Sequence, residues 1–393
     1  MSSNLHQKIT TSKEKFAMTI QENADHFALL TLLQTKGLGT KTLRRWRAAT
    51  TSWSDVLHID DNNHNITLSP RQRAALTTAR HNIAQMNLAD VYELYKKHNI
   101  TLITSDEPSY PPLLREIPDA PLLLFVRGKQ DILAKGPFVT IVGAREYTPY
   151  GKRAAYSLAY DLASAGVTVV SGLARGIDTI AHNSALDAGG TTIGVLGGSL
   201  DDAHITPRQN HNLAHAICTN GAIISEYPLF TEPSRYTFPA RNRIMAAMAA
   251  ITLVIEAADK SGTLITARNA LEYNRDVCAV PGSIFSPISV GTNHLIRDGA
   301  KIITCVQDIL EELPQHTTAM TAQVRKDAVD DTIANCTNDE KRILSCITKE
   351  ALHVDKIAAM SKLKTTHVLS ALSLLEIKGI VHNIGGHCYV RNR

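Results

Sequence analysis

The chain has 393 residues, of which 44% are hydrophobic and 20% charged, and its formal net charge is +4. This length predicts two or three domains, and no apolar run approaches the roughly 20 residues that a membrane span requires. Composition therefore indicates a soluble globular protein, while a charge of +4 is too small to indicate a nucleic-acid partner by itself.

The cellular compartment is predicted from the amino terminus and the cysteines. The first residues, MSSNLHQKITTSKEKF, lack the apolar segment and cleavage site of a secretory signal. Six cysteines without a CxxC pair favour buried thiols in a reducing cytosol over structural zinc. No HExxH sequence occurs, and His182 is expected to face a neighbouring loop. We expect a cytoplasmic protein with no metal, no cofactor and no membrane partner.

The first predicted domain, residues 22–95, has the hydrophobic period of helices. Within it, FALLTLLQTKGLGTKTLRRW predicts a helix, a turn at Gly37–Gly39 and a second, basic helix. This resembles a helix-hairpin-helix, whose turn meets a phosphate through backbone NH groups without reading bases. A plain helical hairpin explains the pattern equally well. Residues 61–65 are predicted to form a loop, and Ser69 with Pro70 the start of the next helix.

The second predicted domain, residues 100–313, has the pattern of an α/β fold. A short strand is expected at 122–127, and apolar strands then alternate with helical segments, as in a parallel sheet. The predicted fold is an extended Rossmann-like, doubly wound, mostly parallel sheet, with a helical amino-terminal module and a carboxyl-terminal winged helix. Its main strands are expected at 139–142, 167–171, 192–196, 222–225, 251–257, 277–280 and 301–304.

Glycine or another small polar residue follows most of these strands. The carboxyl ends of parallel strands lie along one edge of a doubly wound sheet, so residues far apart in sequence could line one crevice there. The basic and hydroxyl-bearing residues at these positions are Arg145, Ser171, Arg175, Ser199, Arg243, Lys260 and Ser283.

The clearest of these strand ends lies at Asp259–Gly262, between an apolar strand and a helix expected to begin near Thr263. Such a turn offers backbone NH groups and the positive end of a helix dipole, so with Lys260 beside it a phosphate is the expected ligand. The cluster Arg241–Arg243 lies just upstream, where the sequence suggests another helix start. The competing interpretation is that these cations are solvated helix ends without a ligand.

Two nucleotide-binding motifs are absent from these strand ends. The turn Gly143–Glu146 follows a strand but lacks GxGxxG, which disfavours nicotinamide chemistry. The sequence Lys260–Thr263 lacks the preceding glycine-rich loop of a Walker-type triphosphatase. Hydrolysis of ATP is therefore not supported.

Two acidic residues near strand ends keep an enzymatic alternative open. Glu226 or Glu256 could stabilise an oxocarbenium-like sugar, as in a nucleotide phosphoribohydrolase-like enzyme. The preferred interpretation is that both acids pair with Arg241 or Arg243 and orient them, because buried arginines need such partners.

The carboxyl-terminal part is predicted to be a separate domain. Residues 314–337 are polar and aperiodic, as expected of a linker. Residues 338–393 contain three helical patterns and two strands about Gly385–Gly386, which predicts a winged helix. Since its second and third helices are not strongly basic, protein contact or a structural role is favoured over DNA reading.

Seven blocks between Thr140 and Ala300 resemble, in order, those of the DprA/Smf family of bacterial DNA-processing proteins. The resemblance implies a non-enzymatic homodimer that binds and protects single-stranded DNA and loads the RecA recombinase onto it in natural transformation or recombination. The blocks are VGAREYTPYG, VVSGLARGIDTIAHNSAL, GVLGGSLD, ISEYP, FPARNRIMAA, VIEAADKSGTLITARNA and AVPGSIFSPISVGTNHLIRDGA.

The resemblance also implies which residues bind DNA. The family's glycine-small-arginine turn falls on Gly143–Arg145, its FPxRNR block on Phe238–Arg243, and its lysine before SG(S/T) on Lys260. Ala144 stands where serine is frequent, which removes a hydroxyl donor, and MAAMA replaces the usual IAGLS, which bears on dimer geometry. The implied and strand-end residues together are Gly143, Ala144, Arg145, Ser171, Gly172, Arg175, Phe238, Arg241, Asn242, Arg243, Lys260, Ser261, Gly262 and Thr263.

A concave basic crevice would select single strands because a stiff duplex would have to bend into it. If five cations contact phosphate, the log-log dependence of affinity on salt should have a slope of roughly −3 to −4. Aromatic residues near these cations could stack on bases or could simply pack in the core. They are Tyr147, Tyr150, Tyr236 and Phe238. A third possibility is a scaffold that contacts only proteins and binds no DNA.

Overall fold

A computed structural model describes residues 23–60, 66–313, 336–347, 352–377 and 380–391. The chain divides into two compact units, residues 1–321 and 322–393. The predicted loop at 61–65 and nearly all of the predicted linker lie outside the described residues. No helix in the described ranges is long and apolar enough to cross a bilayer.

The first described elements, from Ala24 onward, are a group of helices, and the predicted helical hairpin is confirmed. Ser69 starts the fourth helix with a capping box, its hydroxyl accepting from the NH of Gln72. Trp46 and Trp53 are buried in one hydrophobic cluster together with Leu196 and other residues of the sheet. The helices are α1 (Ala24–Gln34), α2 (Thr40–Arg47), α3 (Trp53–Leu57), α4 (Pro70–Gln85) and α5 (Leu88–Lys97).

Two of the basic side chains on α2 contact the sheet domain. The Arg44 guanidinium donates to the Ala120 carbonyl at 2.7 Å, and the Arg47 Nε lies 2.7 Å from the Asp106 carboxylate. Lys41 and Arg45 are exposed. The hairpin therefore offers fewer cations to a phosphate than its sequence suggests, and its role in DNA binding stays a prediction.

A sheet of nine strands forms the centre of the first unit, in the order β1-β2-β6-β5-β4-β3-β7-β8-β9. Each neighbouring pair from β6 to β9 in that order is parallel. The pairs β1–β2 and β2–β6 are antiparallel. The mostly parallel, doubly wound sheet is thereby confirmed. The strands are β1 (Ile100–Thr104), β2 (Leu123–Gly128), β3 (Phe138–Val142), β4 (Thr168–Ser171), β5 (Thr192–Val195), β6 (Ala222–Ser225), β7 (Ile251–Val254), β8 (Asp276–Ala279) and β9 (Lys301–Ile302).

Helices cover both faces of this sheet, which is why its central strands are buried along their whole length. In β3, Val139 and Ile141 pack into one hydrophobic cluster and Phe138 and Val142 into another. The chain leaves β3 toward β4 and later returns to build β7 on the other side, so β3 and β7 flank a topological switch point. The helices are α6 (Pro112–Arg115), α7 (Pro149–Ser164), α8 (Ile177–Asp187), α9 (His211–Asn220), α10 (Thr237–Met248), α11 (Thr263–Glu272), α12 (Val290–Arg297) and α13 (Val306–Leu310).

The second unit has the predicted winged-helix arrangement. Three helices pack around their own core, which includes Ile343, Ile357 and Leu372. Three short strands form its sheet in the order β10-β12-β11. The elements are α14 (Asn338–Cys346), β10 (Leu352–His353), α15 (Val354–Ser361), α16 (Thr365–Ile377), β11 (Val381–Gly385) and β12 (Cys388–Arg391).

Candidate nucleic-acid interface

A cleft of about 840 Å³ opens at the carboxyl edge of the sheet, where the turns after β3 and β7 meet α10. Ligands of open α/β sheets bind at such a switch point. Ten of the fourteen predicted DNA-binding residues line this cleft. They are Gly143, Ala144, Arg145, Phe238, Arg241, Asn242, Lys260, Ser261, Gly262 and Thr263.

The turn after β3 forms one wall and is held against the start of α8. A Cβ on Gly143 would lie 2.6 Å from the Ile177 side chain, so only glycine fits there. The Ile177 NH donates to the Ala144 carbonyl at 3.1 Å. Gly176 has φ +84°, and a Cβ on it would lie 2.3 Å from that same carbonyl. These contacts fix the backbone, while the Arg145 side chain stays exposed.

The turn after β7 forms the facing wall, and α11 begins at Thr263 as the sequence predicts. The Ser261 hydroxyl accepts from the Thr263 NH at 3.2 Å. The Thr263 hydroxyl donates to the Gly143 carbonyl at 3.0 Å, which joins the two turns directly. The exposed Lys260 lies beside the positive end of α11, an arrangement suited to a phosphate.

Arg241, Asn242 and Arg243 do not lie at a helix start, and this part of the sequence interpretation was wrong. Helix α10 already begins at Thr237, so the three residues occupy its second turn and bring no helix-end NH groups to the cleft. Arg241 is only 5% exposed, and its guanidinium donates to the carbonyls of Gly172 and Val195. Burial lowers the Arg241 pKa to about 10, which leaves it charged at neutral pH.

Ser171 and Gly172 lie beneath the cleft floor and do not line it. The buried Ser171 hydroxyl donates to the Ile141 carbonyl at 2.7 Å. The Gly172 NH donates to the Asp178 carboxylate at 3.1 Å, and burial raises the pKa of Asp178 although Arg241 opposes that shift. Of the two, Gly172 holds Arg241 in place, because its carbonyl accepts from the guanidinium.

Arg243 and Arg175 are also outside the cleft lining. The Arg243 guanidinium lies 2.5 Å from the Glu226 carboxylate and 3.5 Å from that of Asp119. Burial raises the pKa of Glu226, and the charge of Arg243 opposes this rise. Arg175 is exposed. The expected pairing of Glu226 with an arginine is thereby confirmed.

Two other sequence-based placements differ from the structure. Among the residues that the structure describes, Glu256 pairs with no arginine; it accepts from the NH of Thr148 at 3.0 Å and from the hydroxyl of the same residue at 2.5 Å. His182 does not face a loop but is buried, with its Nδ1 2.7 Å from the Thr192 hydroxyl on β5. Glu256 lines a separate cavity of about 480 Å³ together with Thr148 and Tyr150.

Arg235 also lines the cleft, although it is not among the residues predicted from the sequence. Its guanidinium carbon lies 4.8 Å from the centre of the Tyr236 ring, which is 72% exposed. Its position could have indicated this role, because Arg235 lies three residues before Phe238, the first residue of the FPxRNR block. Within the described ranges, Arg145, Arg235 and Lys260 form no ion pair with an acid.

Aromatic side chains contribute less to this surface than the sequence allowed. Phe238 lines the cleft and is half-buried, close to Gly197. Tyr147 and Tyr150 are exposed but lie outside the lining, and the Tyr150 hydroxyl donates to the Pro281 carbonyl at 2.8 Å. The cleft can therefore hold a phosphate chain between cations and backbone NH groups, with stacking confined to one end.

Comparison with known proteins shows the family of this chain. The family model described as DNA recombination-mediator protein A matches residues 101–314, and that of the DprA winged helix domain matches residues 328–387. The chain belongs to the DNA recombination-mediator protein A family. The DprA/Smf resemblance predicted from the sequence blocks is thus confirmed.

Curated relatives and solved structures show the same likeness. The DNA processing protein DprA of Bacillus subtilis is 41% identical over 58% of this chain and 76% of its own length. Protein Smf of Synechocystis is 36% identical over 79% of this chain and 85% of its own length. The structure of Streptococcus pneumoniae DprA matches with a TM-score of 0.63 and 32% identity, covering 74% of this chain and 98% of that one.

A second structure concerns the single-stranded DNA binding mode of Helicobacter pylori DNA processing protein A. It matches with a TM-score of 0.50 and 33% identity, over 55% of this chain and 95% of that one.

Proposed function

We propose that the cleft binds the sugar-phosphate chain of single-stranded DNA and that the protein acts in DNA processing without catalysing a reaction. The observation that carries this proposal is the convergence of three features at one switch point. These are the turn at Gly143–Arg145, the start of α11 and the exposed cations Arg145, Arg235 and Lys260. Backbone NH groups and cations together bind the phosphates of a nucleic acid whatever its base sequence.

A single strand is the preferred ligand because its phosphates can follow a concave surface. A duplex has a persistence length of about 150 base pairs and would have to bend to enter the cleft. The single-stranded DNA binding named for the Helicobacter pylori relative supports this choice. Phe238 and Tyr236 lie where one end of the strand could stack, but phosphate contacts dominate.

The arrangement of the acids supports a protein that binds without catalysis. Glu226, one of the two acids proposed for a phosphoribohydrolase-like reaction, is paired with Arg243 and lies outside the cleft lining. The enzymatic alternative requires release of free base from nucleoside monophosphates, with loss of that release in Glu226→Gln. We expect no base release from the unmodified chain or from the Glu226→Gln variant.

The bound strand would then be passed to a partner. We propose a RecA recombinase as that partner and a homodimer as the acting form in the cytoplasm, in transformation or recombination. The family description as a recombination mediator supports this step. In a nucleation assay, the protein should shorten the lag before RecA filaments form on single strands covered by a single-strand-binding protein. An unchanged lag at every protein ratio would remove RecA loading from the proposal.

A salt titration with charge variants tests DNA binding itself. Three unpaired cations contribute about −0.7 each, so the log-log slope for a labelled oligonucleotide should be about −2. The sequence-based value of roughly −3 to −4 counted five cations, including Arg241 and Arg243, which here contact the protein. Lys260→Glu should weaken binding to all sequences alike and bring the slope closer to zero by about one.

Lys97→Glu is the matched control, because Lys97 is an exposed lysine on α5 outside the cleft. It should bind like the unmodified protein. Equal binding by Lys260→Glu and Lys97→Glu, or a slope near zero, would contradict the proposed cleft.

A further inference from the structure

A cluster of three potential metal ligands lies outside the DNA cleft, where the segment after β5 meets α9. His211 and His215 are one turn apart on α9, and Asp202 approaches both of them. The Asp202 Oδ1 lies 3.6 Å from the His211 Nε2 and 3.2 Å from the His215 Nε2. All three side chains are partly exposed, so an ion can reach them from solvent.

We propose that Asp202, His211 and His215 bind one transition-metal ion of the Zn²⁺ type. Zn²⁺ takes nitrogen and carboxylate ligands at about 2.0–2.2 Å, so ligand atoms on a tetrahedron are separated by about 3.4 Å. The two measured separations lie on either side of that value, and all three ligand atoms are within 4.8 Å of one another. Two imidazoles with one carboxylate favour zinc over calcium or magnesium, which prefer oxygen ligands.

Arg127 on β2 positions the carboxylate ligand. Its guanidinium lies 2.6 Å from the Asp202 Oδ1 and 3.2 Å from the Leu200 carbonyl. Hydrogen bonds to a ligating carboxylate from outside the ligand set are usual at metal sites.

The same arginine makes a third, longer contact that ion binding must change. Its Nη2 lies 3.4 Å from the His215 Nδ1, where that nitrogen has to accept. An ion on Nε2 moves the ring proton to Nδ1, so this contact opens while those to Asp202 and Leu200 remain. Water would complete the coordination, since three protein ligands leave one tetrahedral position open.

The fold, and not the local sequence, assembles this site. The sequence HNLAH supplies two imidazoles at helical spacing. The third ligand, Asp202, lies nine residues before His211 in a segment without regular structure. A search for HExxH or paired cysteines therefore predicts no metal. The ion would join this segment to α9, and ligand binding to the folded state alone raises stability in proportion to RT ln(1 + [L]/Kd).

The test uses the full chain without a histidine tag, freed of metal by a chelator and titrated with Zn²⁺ and with Co²⁺. Bound metal is measured by equilibrium dialysis, Co²⁺ coordination by its visible absorption, and Tm by thermal unfolding. The test variant carries His211→Gln and His215→Gln. The control carries His81→Gln and His367→Gln, two exposed helical histidines outside the cluster.

The unmodified chain and the control should bind one equivalent of Zn²⁺ at this site and gain Tm with it. The test variant should lose that equivalent, with affinity at least about tenfold weaker. Equal binding by test and control variants, or no binding by the unmodified chain, would overturn the site. If the double variant fails to fold, His215→Gln alone carries the same comparison. Neither result bears on DNA binding, because the cluster is separate from the cleft.

Discussion

The basic side chains around the cleft have two different roles, and the degree of burial decides which role each one has. Arg145 and Lys260 are exposed and keep their charges available to a ligand. Arg241 is buried against backbone carbonyls, and Arg243 is paired with Glu226. The charges of Arg241 and Arg243 therefore stabilise the fold. Their loss should lower the stability of the protein more than its affinity for DNA.

The ion pair of Arg243 allows a stability prediction. Arg243→Gln leaves the largely buried Glu226 without its countercharge and should lower the free energy of unfolding by about 2–3 kcal/mol. The double variant Arg243→Met with Glu226→Met removes both charges and should recover most of that loss. Urea unfolding measures both values. A loss of affinity in Arg243→Gln with unchanged stability would instead place Arg243 in contact with DNA.

His182 predicts a specific dependence of stability on pH. Burial, reinforced by the charge of Arg241, lowers its pKa from an ordinary 6.5 to about 3. Below pH 6.5 the unfolded chain therefore takes up a proton that the folded chain refuses, and stability falls as pH falls. This group alone should remove about 1.4 kcal/mol per pH unit between about pH 6 and pH 4.

Comparison with His182→Leu isolates that contribution in urea unfolding across this pH range. As pH falls, the His182→Leu variant should lose less stability than the unmodified chain, by about 1.4 kcal/mol per pH unit. The His81→Leu variant, changed at an exposed residue, should follow the unmodified chain. Parallel curves for all three proteins would mean that His182 is protonated in the folded state.

At the scale of elements, the walls of the cleft depend on how α8 packs beneath the turn after β3. Gly176 has a positive φ, and a Cβ there would meet the Ala144 carbonyl. Gly176→Ala should lower the free energy of unfolding by about 3 kcal/mol or more and displace Arg145, which weakens binding to single strands.

Gly189 gives a matched control, because it also has a positive φ, +68°, but no atom lies within 4 Å of an added Cβ. Gly189→Ala should show only the backbone cost of about 1–2 kcal/mol, with DNA affinity unchanged. Equal stability and affinity losses in the two variants, each measured by urea unfolding and by titration, would argue against the packed turn.

Local elements of this site could be predicted from the sequence, whereas contacts between elements could not. The strand, turn and helix around Lys260 follow from an apolar run and small residues next to one another. The burial of Arg241 depends instead on α10 lying against Val195 in β5 and Gly172 just after β4. Strand β1 was missed because its five residues follow α5 almost directly, and only pairing with β2 identifies it.

For the whole molecule, the fold class and the winged helix were predicted correctly from the alternation of elements. The boundary between the helical module and the sheet stays a prediction, because Trp46 and Leu196 share one hydrophobic cluster. Of the six cysteines, which the sequence predicted to be buried thiols, three are buried and three are half-buried.

The two compact units predict that DNA binding belongs to the first. Every residue that lines the cleft lies between Val142 and Ile288. A chain ending at Thr321 should therefore bind single strands with a Kd within about threefold of the full chain and with the same salt slope of about −2. Titration of both proteins under matched salt measures this. A large loss on truncation would assign part of the interface to the winged helix.

The hydrogen bond from Thr263 to Gly143 ties the start of α11 to the turn after β3 before any nucleic acid arrives. A preorganised binding site does not have to become ordered when the strand binds. Association should accordingly be a single fast phase whose rate constant rises as ionic strength falls, limited by how often a strand meets the surface and not by a slow rearrangement of the protein.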